Sequence, residues 1–421
     1  MKRLIRLAVI ILMFAGRAEA ADPVSLDEFL NMVTTGSNML AEESKLVESA
    51  KFAALASGAR HRASLDASAT AGYLSAQEGS GGRDSNIGEA ALSLGLTQAI
   101  DISGKFSREE RREILNYETR RERFAQMTND LLADAEERYW SAAVAAENVA
   151  LQRDVMRQRL ENKRIAEEKY RQGLVPKLDV LRAGSLVAEA EALVAAAEAE
   201  RLNILASMAA MTGGRAVEPE SASLSPPTLE TGIDIDAAIE RRPDIKTGLL
   251  AVEMADTEKQ SAARGNSPTL DASANWVMFS DPSESSSPQM GEFVVSIRLS
   301  ARLSDNGVKY ETMGAEMKRQ AAEASLKQIF DTANMELAAA KNNWDRASKM
   351  ERSRSVEVET SNEELRITEL MYREGMGAQI DFINAQVENQ RVRTDYLASV
   401  KEMYGAIIQI RRAVAHYAIY E

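Results

Sequence analysis

His61 and His416 are the only histidines in the chain, and cysteine is absent. Neither histidine has a cysteine or a spaced carboxylate to complete a metal-ligand set. His61, flanked by Arg60 and Arg62, is expected at the surface of a helix–strand junction. Without cysteine no disulfide framework, thiolate nucleophile or lipid-modified cysteine is expected. No glycine-rich phosphate loop follows a strand pattern. The 18 methionines are scattered and outline no soft-metal path. Catalysis and a bound cofactor or metal are therefore not expected. Two aspartates stand at matched places. Asp179 follows Gly173 by six residues, and Asp381 follows Gly375 by six. A carboxylate there suits the positive start of a helix. Runs such as Arg108-Glu109-Glu110-Arg111-Arg112-Glu113 read as solvated helix faces with i,i+4 pairs.

The matched aspartates belong to a larger duplication. Leu65-Asp66-Ala67-Ser68-Ala69 recurs as Leu270-Asp271-Ala272-Ser273-Ala274, an offset of 205. Gly88-Glu89 and Ser93 recur as Gly291-Glu292 and Ser296, an offset of 203. Tyr170-Arg171, Gly173, Asp179 and Ala183 recur as Tyr372-Arg373, Gly375, Asp381 and Ala385, an offset of 202. One unit of roughly 200 residues was copied, too long for a solenoid repeat. The first copy spans 21–213, with a strand pair at 64–102 and a helical hairpin at 105–212. A connecting segment covers 214–239. The second copy spans 240–421, with a strand pair at 268–304 and a hairpin at 307–418.

Each copy carries the same elements in the same order. A helix pattern runs from Ser25 to Ala59. Leu65, Ala67, Ala69, Ala71 and Tyr73 then alternate with Asp66, Ser68, Thr70 and Gly72. In the second copy Phe293, Val295, Ile297, Leu299, Ala301 and Leu303 alternate with polar residues. Period 2 gives one apolar and one wet face. About ten residues per strand matches a tilted outer-membrane crossing. The loops Ser75 to Gly88 and Ser280 to Gly291 read as exposed tips.

Long helix patterns follow, Lys105 to Gln172 and Val308 to Glu374, each some 68 residues without proline. That is roughly 100 Å at 1.5 Å per residue, the length of a rod rather than a compact domain. Gly173, and Gly375 with Gly377, end them. In the first return helix Ala183, Ala190, Ala197, Ile204 and Met211 recur at sevens, with Leu186 and Leu193 three positions on. That is a coiled-coil seam in which alanine permits close approach. Arg241-Arg242-Pro243-Asp244 opens a helix in the second copy.

Residues 1–20 read as an export signal: Lys2, Arg3 and Arg6, an apolar run from Leu7 to Phe14, then Ala18-Glu19-Ala20. Cleavage removes a net +3 from a chain of −13 and leaves −16. No basic surface dominates, so nucleic acid is not an expected partner. No later run of 18 apolar residues forms a membrane helix. The expected fold is an α+β membrane protein whose four strands per chain join those of other copies. Two copies give eight strands and three give twelve. Eight-stranded barrels are filled by their own side chains. Here the inward residues are small: Ser68, Thr70, Gly72, Ser93, Gly95 and Ser273. They suit a wider lumen, and so a trimer.

Over its whole mature length the sequence resembles the TolC-type outer-membrane efflux proteins. The resemblance rests on the duplicated layout and on Arg242-Pro243-Asp244. It rests also on the paired turns Tyr170-Arg-Gln-Gly-Leu-Val-Pro-Lys-Leu-Asp179 and Tyr372-Arg-Glu-Gly-Met-Gly-Ala-Gln-Ile-Asp381. It implies a homotrimer with a twelve-stranded β-barrel in the outer-membrane lipid and a twelve-helix coiled-coil barrel in the periplasm. The helical tips, closed at rest, would dock on a periplasmic adaptor and an inner-membrane pump driven by protons or ATP. The protein would be a passive exit duct.

At the gate the family implies an aspartate ring. Asp381 matches it, while Asn384 stands where a second aspartate is found in other members. Gly377 replaces an arginine that locks the closed state in some of them. Asp381 reads equally as a helix start. The family implies adaptor contact at Gly173, Leu174, Val175, Gly375, Met376, Gly377 and Ala378; local packing of the turn is the equal alternative. A secreted or periplasmic coiled-coil adhesion protein, with its hairpins packed in water, is the other reading of the whole chain. The cargo, whether drug, metal ion or protein, is not written in these residues.

Overall fold

The computed structural model describes residues 23–76, 85–220, 224–228, 239–280 and 291–418. The expected export signal, the loop tips at 77–84 and 281–290 and half of the connecting segment lie outside them. The elements are β1 (Pro23–Val24), α1 (Leu26–Gly36), α2 (Asn38–Ala59), β2 (Ser64–Ala76) and β3 (Ser85–Ile100). Then come α3 (Lys105–Arg171), α4 (Lys177–Met211), β4 (Glu218–Pro219) and α5 (Pro243–Ala263). The chain ends in β5 (Thr269–Ser280), β6 (Glu292–Ser300), α6 (Gly307–Arg373) and α7 (Gln379–Ala413). Both α3 and α6 run 67 residues. The chain forms two compact units, each drawing on both halves of the sequence. One holds the described residues up to Glu42, Ala125–Arg242 and those from Asp331; the other holds Glu43–Phe124 and Pro243–Phe330.

The single helix expected from Ser25 to Ala59 is two. Ser25 opens α1 with a reciprocal capping box: its Oγ accepts the Glu28 N–H, and the Glu28 carboxylate accepts the Ser25 N–H. Ser37 breaks the run in extended conformation, and its Oγ accepts the Leu40 N–H at 3.3 Å. Thr34 and Thr35 hydroxyls fold back onto Leu30 and Asn31 carbonyls, so the polar cluster competes with helix continuation. A Cβ at Gly36 would meet the Thr212 backbone at 3.0 Å, so glycine allows this close approach.

In the first unit Phe29, Val33, Leu132, Tyr139, Met208 and Ile407 form one core cluster. The two-residue strands β1 and β4 pair in parallel beside it, and the Tyr139 hydroxyl donates to the Val24 carbonyl at 3.0 Å. Buried Glu136 accepts from Arg411 at 2.6 Å, Trp140 at 3.2 Å and the Tyr417 hydroxyl. Burial, then the Glu136 charge, pushes the Tyr417 phenol far up. Arg242, also buried, donates to the Ala413 carbonyl at 2.9 Å and to Glu336 at 2.7 Å, anchoring the end of α7. In α4 the seam residues Ala183, Ala190 and Ala197 are buried; Ile204 and Met211 are half-buried. Their inward neighbour is Val187, not Leu186 or Leu193, because the buried stripe follows i,i+4.

In the second unit β2, β3, β5 and β6 form one antiparallel sheet in that order. Leu96 pairs with Leu65 on one side and Ala274 on the other; Ala274 continues to Val295. On the opposite face Thr97, Ser273 and Ser296 align. Two serine pairs bridge strands there, Ser68–Ser93 at 2.7 Å and Ser273–Ser296 at 2.9 Å. The alternation in the sequence is therefore a property of the whole sheet. Among the described residues, β2 and β6 each have one strand partner. β6 ends at Ser300, short of the expected Leu303, whereas β3, paired on both sides, runs to Ile100.

Two smaller expectations are corrected in this unit. The His61 ring packs on Phe106 at 4.8 Å, and its Nε2 is buried without a partner among the described residues, so it is not a plain surface residue. Arg111 of the charged run reaches across to Glu253 of α5 at 2.5 Å instead of pairing at i,i+4. No described helix is long and apolar enough to cross a membrane.

Candidate functional site at the helical turns

The turns joining α3 to α4 and α6 to α7 have one geometry. Gly173 and Gly375 both adopt φ +73°. The Leu174 N–H reaches the Lys169 carbonyl at 2.9 Å, and the Gly173 N–H reaches Tyr170 at 3.0 Å. The same pair recurs from Met376 to Met371 at 2.9 Å and from Gly375 to Tyr372 at 3.3 Å. Both are Schellman ends, in which a left-handed glycine satisfies the last carbonyls of the helix. The sequence expectation grouped Gly377 with Gly375 as a cap, but only Gly375 has positive φ. Gly377 serves close approach: a Cβ there would sit 3.1 Å from the Met371 Cβ.

The return helices start at Pro176 and Ala378, both extended and neither supplying a side-chain cap. Asp179 and Asp381 stand in the first turns, where the helix dipole favours a carboxylate. Asp381 and Asn384 are exposed and three residues apart, hence on one helix face. Neither has a side-chain partner among the described residues. Leu174 and Met376 are 68% and 70% exposed, Ala378 is exposed and Val175 half-buried. Leu178, Leu181 and Ile380 add to this apolar rim. The sequence marks those three only by spacing, Leu178 and Ile380 five residues after their capping glycines and Leu181 eight after Gly173.

A clamp joins the two turns within one chain. Lys169 Nζ donates to the Tyr372 carbonyl at 2.8 Å and lies 4.1 Å from the Tyr372 ring centre. Tyr372 stacks on Phe382 at 5.4 Å; they are 4% and 3% exposed. Burial, and then the Asp179 charge, raises the Tyr372 phenol above its ordinary value. The Tyr372 hydroxyl is buried without a hydrogen-bond partner among the described residues. Gln379 donates to the Asp179 carbonyl at 3.4 Å. Farther along, buried Arg159 donates to Gln386 at 2.8 Å, and Gln390 to Gln152 at 2.9 Å. Burial lowers the Arg159 pKa. Met371 stands where a second Lys169 would be, so the clamp breaks the duplication. That mismatch was its only signal in the sequence. Among the described residues no group of three histidines or carboxylates could hold a metal ion.

Paired helical hairpins, matched glycine turns and a two-faced, edge-open sheet define an outer-membrane channel fold. Solved channels share it. The outer-membrane channel OprN superposes with a TM-score of 0.82 at 20% identity, over 93% of this chain and 89% of that one. VceC of Vibrio cholerae gives 0.80 at 16%, over 94% and 97%. The open-state MtrE channel of Neisseria gonorrhoeae gives 0.81 at 18%, over 93% and 88%. No curated relative matches by sequence. The family described as outer membrane efflux protein matches residues 34–214 and 235–416. The chain belongs to that family. It is an outer-membrane transport protein, not an enzyme.

Proposed function

We propose that the chain is the exit duct of a tripartite export system, acting as a homotrimer with a periplasmic adaptor and an inner-membrane pump. The sheet carries this reading. It is apolar on one face and polar on the other, with two edges unpaired among the described residues. Open edges are not tolerated in lipid, and four strands make no barrel alone. Three copies give twelve strands around a lumen lined by small polar residues. The duct itself is passive. Copies 21–213 and 240–421, joined by 214–239, would alternate around the ring, and residues 1–20 would direct export.

The helical turns form the periplasmic entrance in this reading, closed at rest. Asp381 from three copies makes the constriction ring, with Asn384 a turn behind it as a neutral ring. The apolar rim of Leu174, Val175, Met376 and Ala378, shaped by Gly173, Gly375 and Gly377, is the adaptor contact. An acidic ring attracts cations and repels anions. In planar bilayers Asp381→Asn is therefore expected to move the reversal potential in a salt gradient toward zero. An unchanged reversal potential removes Asp381 from the gate. Recovery of the protein as a soluble periplasmic monomer, needing no detergent, overturns the duct.

A further inference from the structure

We propose that the two open sheet edges meet in one defined register, with Arg302 of one copy opposite the partner's Asp66. This rests on the trimeric reading above. The duplication supplies the register. β2 maps onto β5 at an offset of 205 and β3 onto β6 at 203. The two hairpins obey these offsets: Ser64 opposite Thr97 in the first becomes Thr269 opposite Ser300 in the second. The seam between the halves is β3 on β5, with Leu96 opposite Ala274 and Ala99 opposite Asp271. Carried forward by the same offsets, the seam between copies is β6 on the partner's β2. Leu299 then faces the partner's Ala69, Ile297 the partner's Ala71, and Arg302 the partner's Asp66.

Three independent features agree with this register. First, Val295, Ile297 and Leu299 on the apolar face of β6 meet the partner's Tyr73, the partner's Ala71 and the partner's Ala69, so the lipid face continues across the seam, with Phe293 opposite the partner's Ser75 at its end. Second, the strand lengths fit. β3 reaches Ile100, the equivalent of Leu303, but β6 stops at Ser300. The alternation continues through Ala301, Arg302 and Leu303, so a partner strand would let β6 run as far as β3 does.

Third, this seam gives Asp66 the opposite charge that its own hairpin does not. Asp271 stands opposite Arg298 in β6, whereas its counterpart Asp66 stands opposite Gly95. The hydrogen bond of the Asp66 side chain is to the Ser64 hydroxyl at 3.3 Å. Arg302 is held by Asp305 at 2.7 Å through Nη1, and its other donors have no partner among the described residues. Arg302 lines a cleft with Lys105, Arg108 and Arg264. Arg108 and Arg264 both donate to the Ser103 carbonyl, at 3.1 and 3.0 Å. Among the described residues no ion pair within 4.0 Å joins Lys105, Arg108 or Arg264 to a carboxylate, and Asp101 is the carboxylate whose charge acts on Arg108. In a chain of net −13 this end of β6 is a local excess of positive charge. The partner's Asp66 brings a carboxylate to it.

The chain has no cysteine, which makes the register directly testable. Three double variants are compared as purified protein in detergent: Ala69→Cys, Ala67→Cys or Ala71→Cys, each with Leu299→Cys. The first pair is in register. The others are displaced by two residues, roughly 6.6 Å along the strand. That puts their Cα atoms beyond about 7 Å, outside disulfide reach. Within one chain the paired positions lie on the outer strands, about 14 Å apart at strand spacing. Oxidation is expected to give dimer and trimer bands on denaturing gels. The in-register pair should give at least about fivefold more than either displaced pair.

A displaced pair that links as well, in a protein of trimeric mass, overturns the register and leaves the trimer. A protein of monomeric mass before oxidation overturns both. For the ion pair, Arg302→Asp and Asp66→Arg are each expected to lower the temperature at which the trimer dissociates. Combining them should restore most of it. A double variant as weak as the singles overturns the Arg302–Asp66 contact.

Discussion

Lys169 holds the two turns of one chain together. Its ammonium reaches the Tyr372 carbonyl, near the negative end of α6, and covers a buried ring. Replacing it by methionine, the residue of the other half, keeps the stem and removes the charge. The loss is one charge-assisted bond and one partly exposed cation–π contact, about 1–2 kcal/mol together. Lys169→Met is expected to loosen the turns and raise the open probability in single-channel recordings. Closed-state dwell times equal to those of the unmodified protein would show that the clamp is not part of the gate. The paired aspartates and glycines were legible in the sequence because they repeat. The contact of Lys169 with Tyr372 was not, although Tyr372 itself repeats Tyr170, because the two lie 203 residues apart and belong to different halves. Only folding brings a non-repeating residue onto a repeating one.

Among the elements, the helix ends and strand faces were the most legible parts. Glycine capping and period-2 alternation are local physics, so Gly173, Gly375 and the sheet faces could be placed in advance. The break at Ser37 and the inward turn of Val187 depended on competing hydroxyl bonds and on the neighbouring helix, which periodicity does not record. The capping argument has a direct test. Nothing lies within 4 Å of a Cβ built at Gly375 or Gly184, but only Gly375 has positive φ. Gly375→Ala should therefore cost about 1–2 kcal/mol from backbone strain alone. Gly184→Ala, inside α4, should stabilise by roughly 0.5–1 kcal/mol. Opposite shifts of the unfolding midpoint check both. Helix pairing also carries a pH signature. Arg319, then Lys259 and Gln320, hold the Glu316 carboxyl well below the ordinary carboxylate range. A depressed folded pKa contributes stability above the unfolded value and loses it as pH falls through the folded one. The advantage of the native protein over Glu316→Gln should thus shrink below about pH 4.3. Thermal unfolding in acid reads this as converging midpoints, and parallel curves would contradict it.

For the whole molecule the decisive question is which solvent the apolar face of the sheet meets. In the single chain Ile297 is 73% exposed, and Phe293, Val295 and Leu299 line up beside it on every second residue. Water would tolerate a charge at such positions, since nothing covers them. Lipid would not. An arginine on the lipid face of a barrel costs about 2–4 kcal/mol near the bilayer centre, while lumen positions accept it. Ser296 is the neighbour on the other face, bonded to Ser273 at 2.9 Å. Ile297→Arg should therefore prevent recovery of heat-resistant trimer from the outer membrane. Ser296→Arg should assemble and alter conductance only. Had the hairpins evolved for water, as in an adhesion protein, the two variants would behave alike, and equal recovery would return that reading to favour. The contrast uses adjacent residues of one strand, so expression, export and strand propensity are held nearly constant. What differs is the face, and with it the medium that closes around the duplicated sheet.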